Sequence, residues 1–190
     1  MQALPPKIYI TRHGQSQYNL LQKLGGDSHL TSLGKEYATQ LYSFFSKHEN
    51  LRIWSSSLRR TQATVVEFSN VEIYDKLNEL NAGICEHMTY KDIDTLYPHI
   101  SIARKLNKYN FVYPGGESYH HLWKRVSSVL SKLNKDPTLI VCHQAVARML
   151  IATLLEKTPE SYTNMVIPLH TVFEINLKTK EIVQHDLLKK

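Results

Sequence analysis

The sequence predicts an α/β fold, a three-layer α/β/α sandwich around a mostly parallel sheet. Two observations carry this. Short β-branched or apolar runs alternate with segments of helical period along the chain. Three of those runs also end in residues able to do chemistry: Arg12-His13, Ser55 leading to Arg59-Arg60, and His143. Ligands of open α/β sheets bind beyond the carboxyl ends of the strands, so these separate stretches point at one pocket.

KIYIT at 7–11 reads as the first strand, with Pro5-Pro6 as the end of a tail over residues 1–6. A polar loop follows, containing Gly25-Gly26-Asp27. Thr31-Ser32 offers N-cap chemistry for a helix whose buried face is expected to carry Leu33, Tyr37, Leu41 and Phe44. Residues 51–54 form a second strand, 59–68 a helix and 71–74 a third short strand. Periodicity weakens over 76–114, which reads as a cap inserted over the site. Within it, 90–96 is helical and Tyr97-Pro98 stops it. A helix runs over 118–133 with Leu122, Val126, Val129 and Leu133 on one face. TLIVC at 138–142 suits a strand buried on both faces, and a helix follows over 145–155. Residues 171–177 and 181–185 close the sheet as a strand pair. No repeat or linker divides the 190 residues, so one domain is expected.

Composition narrows the partners. The chain is 42% hydrophobic and 21% charged, ordinary for a globular protein, with a formal net charge of +6. That excess suits an anion: nucleic acid, an acidic membrane or a phosphorylated metabolite. No stretch interleaves aromatic residues with a basic run, which argues against nucleic acid. The longest apolar run, 145–155, contains Arg148 and is too short to span a bilayer, so no membrane partner is expected. The two cysteines, Cys85 and Cys142, form no CxxC pair and read as reduced thiols. With no signal-peptide pattern at the start, a cytoplasmic location is expected.

Arg12-His13-Gly14 at a strand end, with His143 after a late hydrophobic strand, resembles the histidine phosphatase (phosphoglycerate mutase-like) superfamily. Longer stretches resemble the bisphosphatase domain of the 6-phosphofructo-2-kinase/fructose-2,6-bisphosphatase family. They are GGDSHLTSLGKEYA at 25–38, LNELNAGICEHMTY at 77–90, YPGGESY at 113–119, VCHQAVARML at 141–150 and PLHTV at 168–172. The resemblance implies a phosphoglycerate mutase-like fold and hydrolysis of the 2-phosphate of fructose 2,6-bisphosphate. His13 would be the nucleophile, and Arg12, Arg60 and His143 would clamp the transferring phosphoryl group. Asn19 would add a neutral donor, with Gly25 in the same loop, and Glu79 would be the general acid, with Glu86 its competitor. Tyr90, Arg104, Lys108, Tyr119, Gln144 and Arg148 would hold the sugar and its 6-phosphate. The family pattern differs at Gln15, Asn110, Val112 and Gly115. At Asn110 and Val112 the family often carries arginine, which lowers the expected positive field around the 6-phosphate.

The chemistry asks for these residue types. A phosphate dianion resists nucleophiles until its charge is neutralised and it is held in line. Guanidinium forks match phosphate oxygens, and a neutral imidazole can attack phosphorus near pH 7. The acid must carry a proton near neutral pH, which burial or a neighbouring phosphate would favour. No cofactor or metal is required, and His120-His121 has no carboxylate or cysteine partner at metal-ligand spacing. The chain contains no GxxxxGK[ST] phosphate loop. It therefore reads as a free-standing phosphatase or as one domain of a parent with a covalently linked kinase domain. A broader phosphomonoesterase, a mutase and a catalytically inactive phospholigand-binding domain are the alternatives.

Overall fold

The computed structural model describes residues 5–188. Residues 1–4 of the expected tail lie outside the described residues. Pro5 is buried and the Pro6 carbonyl accepts from Leu177 N at 3.3 Å, so these two prolines belong to the fold and not to a tail.

Six strands form one sheet: β1 (Lys7–Arg12), β2 (Arg52–Ser55), β3 (Val71–Ile73), β4 (Thr138–Cys142), β5 (Thr171–Asn176) and β6 (Ile182–Asp186). Their spatial order is β3-β2-β4-β1-β5-β6. The β3, β2, β4 and β1 neighbours are parallel, and β5 and β6 join antiparallel at one edge. The mostly parallel sheet is therefore as predicted.

Alternation of side chains along the strands builds the three layers. Ile8, Ile10, Trp54, Ile140 and Cys142 face one cluster, which α6 (Tyr119–Leu130) and α7 (Gln144–Leu154) complete. Tyr9, Ile53, Leu139, Val141 and Val172 face the other, packed on α2 (Ser32–Phe45). A short helix, α3 (Arg59–Thr64), follows β2, and α1 (Gln17–Leu20) follows the first strand's loop. A third small cluster gathers Ala82, Cys85, Ile93, Ile100 and Tyr113 around α4 (Tyr90–Leu96) and α5 (Pro98–Leu106). Both cysteines are buried and unpaired. Among the described residues no helix is long and apolar enough to cross a membrane.

Several boundaries differ from expectation for local reasons. Thr31 caps α2 by accepting from Gly34 N, but the buried stripe is Gly34, Tyr37, Ala38, Leu41 and Phe45. Leu33 is 42% exposed and Phe44 only partly buried. The helix is rolled so that a glycine faces inward, because its first turn abuts the Gly14-Gln15 backbone. The helix expected over 59–68 ends at Thr64, where Val65 leaves helical geometry at φ −107° and tucks into the core. Pro98 does not only stop a helix. It opens α5 from its first position, where a missing N–H costs nothing.

The backbone contact between Gly14 and Gly34 sets how closely α2 approaches the strand end. A Cβ on Gly14 would lie 2.2 Å from Gly34 O, and one on Gly34 would lie 2.1 Å from Gln15 O. Glycine-to-alanine changes in a helix ordinarily stabilise by roughly 0.5–1 kcal/mol. Gly34→Ala should instead destabilise by about 1–3 kcal/mol, as overpacking does. A urea midpoint below that of the wild type would bear this out; an unchanged or higher midpoint would mean that the backbones separate freely.

Candidate active site

A cavity of about 390 Å³ opens at the carboxyl ends of the parallel strands. His13 follows β1 directly and donates its backbone N–H to Cys142 O at 3.0 Å, extending the parallel ladder by one residue. His143 follows β4 in the same way, and the two imidazole rings lie 5.2 Å apart between centroids.

The His13 ring is fixed at both nitrogens. Nδ1 is 2.7 Å from Gly14 O, an acceptor only, so Nδ1 carries the proton. Nε2 then holds the lone pair and accepts from Arg60 Nε at 3.1 Å. Burial, then the charges of Arg60 and Arg12, hold the ring well below the ordinary value of 6.5. It is a neutral imidazole with its basic nitrogen set among guanidinium groups, on the wall of the cavity.

Arg60 is buried and donates from Nη1 to Gly26 O at 2.6 Å. Asp27 lies 3.7 Å from the same nitrogen. Arg12 donates from Nη1 to Gln144 Oε1 at 3.0 Å and to Ile167 O at 2.9 Å. Burial, with the like charge of Arg148 and against the pull of Glu79, brings Arg12 down to about 10, so it stays charged at pH 7. His143 is fully buried beside His13, with Nε2 2.8 Å from Ser56 Oγ. Burial followed by the charge of Arg60 also keeps its ring well below 6.5. Arg12 Nε and His143 Nδ1 are buried polar atoms without a hydrogen-bond partner among the described residues. Such orphans need an explanation, and an anion bound among these groups would supply one.

Glu79 is half-buried on the cavity wall, at the N-terminus of α7. Its carboxylate accepts from Ala145 N at 3.2 and 3.4 Å and from Leu80 N at 2.9 Å. The protein surrounds it with backbone donors and with the positive charge of Arg12 and Arg60. Glu86 is engaged differently. It accepts from Gly26 N at 2.6 Å and Ala82 N at 2.7 Å, clamping the glycine loop to the 82–89 segment. It is absent from the main cavity wall. Gly25 lies against that clamp at φ +59°, and a Cβ there would meet Glu86 Oε2 at 1.7 Å, so a side chain would be strained and would have to push the Glu86 carboxylate out of the clamp.

A second group of expected residues lines the same cavity. Arg104 donates to Tyr90 OH at 3.0 Å and stacks over its ring at 4.5 Å. Arg148 is buried, donating to Tyr119 OH and Met165 O, both at 2.7 Å. Gln144 and Asn19 also line the wall; Asn19 Oδ1 accepts from Ser16 N at 2.8 Å within a capping box. Lys108 departs from the expectation. Its ammonium donates to Thr163 O and Asn164 Oδ1, both at 2.8 Å, and it is not part of the cavity wall. Asn110 and Val112 are exposed and lie off the wall as well.

Sequence reasoning missed the buttresses. Arg125 donates to both oxygens of Glu117, at 2.7 and 2.9 Å, and to Glu79 O at 3.0 Å, fastening the Glu79 segment to α6. Glu117 also accepts from Asn81 N at 3.0 Å. Ser56, which meets His143, and Tyr113, on the cavity wall, were likewise unassigned. Only Glu117 and Tyr113 carried a signal, as members of YPGGESY. Among the described residues, no group of three or more His, Cys, Asp or Glu is placed to hold a metal ion.

Residues 8–187 match the histidine phosphatase superfamily (branch 1), and the chain belongs to that superfamily. It is 41% identical over 176 residues to the 6-phosphofructo-2-kinase/fructose-2,6-bisphosphatase of Aquarana catesbeiana, a match covering 90% of this chain and 37% of that one. The human 6-phosphofructo-2-kinase/fructose-2,6-bisphosphatase 3 is 39% identical over 175 residues, covering 90% and 34%. The chain thus spans about a third of the length of these curated relatives. Among solved structures, the alpha-ribazole phosphatase of Shigella flexneri superposes with a TM-score of 0.82 at 23% identity, covering 96% of each chain. The mycobacterial glucosyl-3-phosphoglycerate phosphatase gives 0.78 at 22%, covering 95% of this chain and 96% of that one. At those identities the likeness establishes the fold.

Two measurements test the electrostatics. Nitrogen-detected NMR of the imidazoles at pH 6.5 should find His13 neutral with its proton on Nδ1, and Arg60→Ala should move its titration upward; a ring already charged at pH 6.5 would refute the assignment. Stability carries the second test. His13 and His143 stay unprotonated in the fold while the unfolded chain takes up protons below about 6.5. Unfolding free energy is therefore highest above pH 6.5 and falls as pH drops toward the folded values, by about 1.4 kcal/mol per pH unit for each histidine. Denaturation from pH 7.5 to 5 should show this slope, and His143→Asn should flatten it.

Proposed function

From its membership in the histidine phosphatase superfamily, we propose that this chain hydrolyses the 2-phosphate of fructose 2,6-bisphosphate to fructose 6-phosphate and phosphate. The single observation that carries the mechanism is the lone pair of His13 Nε2, directed by the Nδ1–H···O=C bond to Gly14 and set beside Arg60. The substrate reading is supported by the similarity to bifunctional relatives and by the second set of side chains, Tyr90, Arg104, Tyr119 and Arg148, on the same cavity wall. A small phosphomonoester would leave that set unused.

The 2-phosphate displaces Arg60 from Nε2 and spreads its oxygens over Arg60, Arg12 and His143, satisfying the orphaned Arg12 Nε and His143 Nδ1. Asn19 adds a neutral donor. His13 Nε2 attacks phosphorus, an N–P bond forms and the bond to the sugar oxygen breaks. Glu79 protonates that oxygen as it leaves, and fructose 6-phosphate results. Water then attacks the phosphohistidine with Glu79 accepting its proton, the N–P bond breaks, and phosphate departs. His13 regains its neutral form and no external reductant, oxidant or metal enters the balance. The relatives' names include a kinase activity, which supports the further reading that this unit works covalently linked to a kinase domain in a longer parent.

Phosphate release from fructose 2,6-bisphosphate, fructose 1,6-bisphosphate and 4-nitrophenyl phosphate tests the proposal, with excess chelator present throughout. The 2,6-isomer should be preferred, and His13→Ala should lower its turnover at least about a thousandfold. Glu79→Gln should cost about a hundredfold or more on the sugar substrate. It should cost far less on the aryl ester, whose leaving group needs no proton. Comparable rates on all three would instead make the chain a broad phosphomonoesterase, and no turnover of any would make it a phospholigand-binding domain.

A further inference from the structure

The segment between the short 3-10 turn Pro159–Tyr162 and β5 belongs to no helix or strand, yet it meets two cations of the cavity wall and Lys108 beside them. Lys108 Nζ donates to Thr163 O at 2.8 Å, Arg148 Nε to Met165 O at 2.7 Å, and Arg12 Nη1 to Ile167 O at 2.9 Å. The acceptors stand at alternate positions of the chain. Burial alternates with them: Thr163 and Ile167 are buried and Met165 partly so, while Asn164, Val166 and Pro168 are exposed. The three cations come from different parts of the fold, namely the end of β1, the loop after α5, and α7.

Like charges held this closely repel. Burial and the neighbouring charges of Arg148 and Arg104 bring Lys108 down to about 8, and Arg148 likewise opposes Arg12. Neutral carbonyl dipoles offset this repulsion without competing as an anion would. They keep the cations together, in place, before a substrate arrives, which lowers the cost of ordering them on binding. Lys108 receives a further acceptor from this segment, Asn164 Oδ1 at 2.8 Å, on an otherwise exposed residue.

We propose that residues 163–167 act as a positioning strap for the phosphate-binding cations, and that Asn164 is its specificity-determining member. Asn164 and Thr163 hold Lys108 beside Arg148 and over the Tyr119 ring, 5.7 Å from its centroid, so that a second phosphate meets Arg148 on the wall and the charge of Lys108 from just behind it. An ammonium has three donors, and the strap takes two. Arg12 is anchored on the same strap, which therefore fixes the spacing between the reacting phosphate and the distant one. The Asn164 role rests on the bisphosphate reading above.

The test is Asn164→Ala, at an exposed side chain whose loss should leave folding intact. KM for fructose 2,6-bisphosphate should rise about fivefold with kcat unchanged, the size expected for one ordinary hydrogen bond lost at one remove from the substrate. Turnover of 4-nitrophenyl phosphate, which has no second phosphate, should not move. Lys108→Met should raise KM at least as far, and adding Asn164→Ala to it should change nothing more. An unchanged or lowered KM, or an equal loss on the aryl ester, would overturn the proposal. If the wild type fails to hydrolyse fructose 2,6-bisphosphate, the substrate reading falls, and the strap is judged from calorimetric binding of fructose 6-phosphate. A weaker Kd in Asn164→Ala would then sustain it, and an equal Kd would overturn it.

Discussion

The parallel pairing of β1 with β4 is the constraint on which the site depends. Its register sets Arg12 opposite Cys142, and one further backbone bond, His13 N to Cys142 O, carries the ladder to the strand ends. The next residue on each strand is then a histidine, and the rings meet although the sequence separates them widely. Because both strands are buried on both faces, a slip by one residue would turn Ile8, Ile10 and Ile140 toward the wrong layer. The hydrophobic pattern that fixes register thus also fixes the distance between the two imidazoles.

Around those rings the protein collects positive charge in a place where burial weakens its solvation. Arg12, Arg60 and Arg148 are each desolvated or buried, and the histidines respond by remaining neutral. The charges are balanced only in part: Asp27 at the rim, Glu79 on the wall, and carbonyls of Gly26, Met165 and Ile167. An arrangement that neither neutralises itself nor scatters is preorganised for an anion, and it costs little further reorganisation when charge develops in transfer. The same arrangement spends stability, because each cation held without its anion opposes the others.

Much of this was legible in the sequence, for identifiable reasons. Strand ends followed by Arg12-His13 and by His143 located the centre, and helical spacing put Gln144 and Arg148 on one wall. Glu79 was legible only through resemblance, since nothing in its local period distinguishes it from Glu86. The two acids were separated by what touches them: Glu79 meets the first turn of α7, whereas Glu86 locks Gly26 to Ala82. Lys108 stands off the cavity wall because its position after α5 depends on a distant segment, where the Thr163 carbonyl and the Asn164 side chain take its ammonium. The α5 helix itself was hidden by Pro98, which reads as a stop although it also serves as a start.

The sequence by itself determined the alternation of strands and helices, the strands buried on both faces and the residue types at the strand ends. Those are set by local period and by burial on one face or two, which short stretches encode. Only the tertiary structure decided which nitrogen of His13 carries the lone pair, how α2 rolls to bring Gly34 against Gln15, and which cations the 163–167 segment restrains. Each of these rests on an acceptor or a backbone supplied across space or on the conformation of a loop, and neither leaves a period in the sequence from which it can be read.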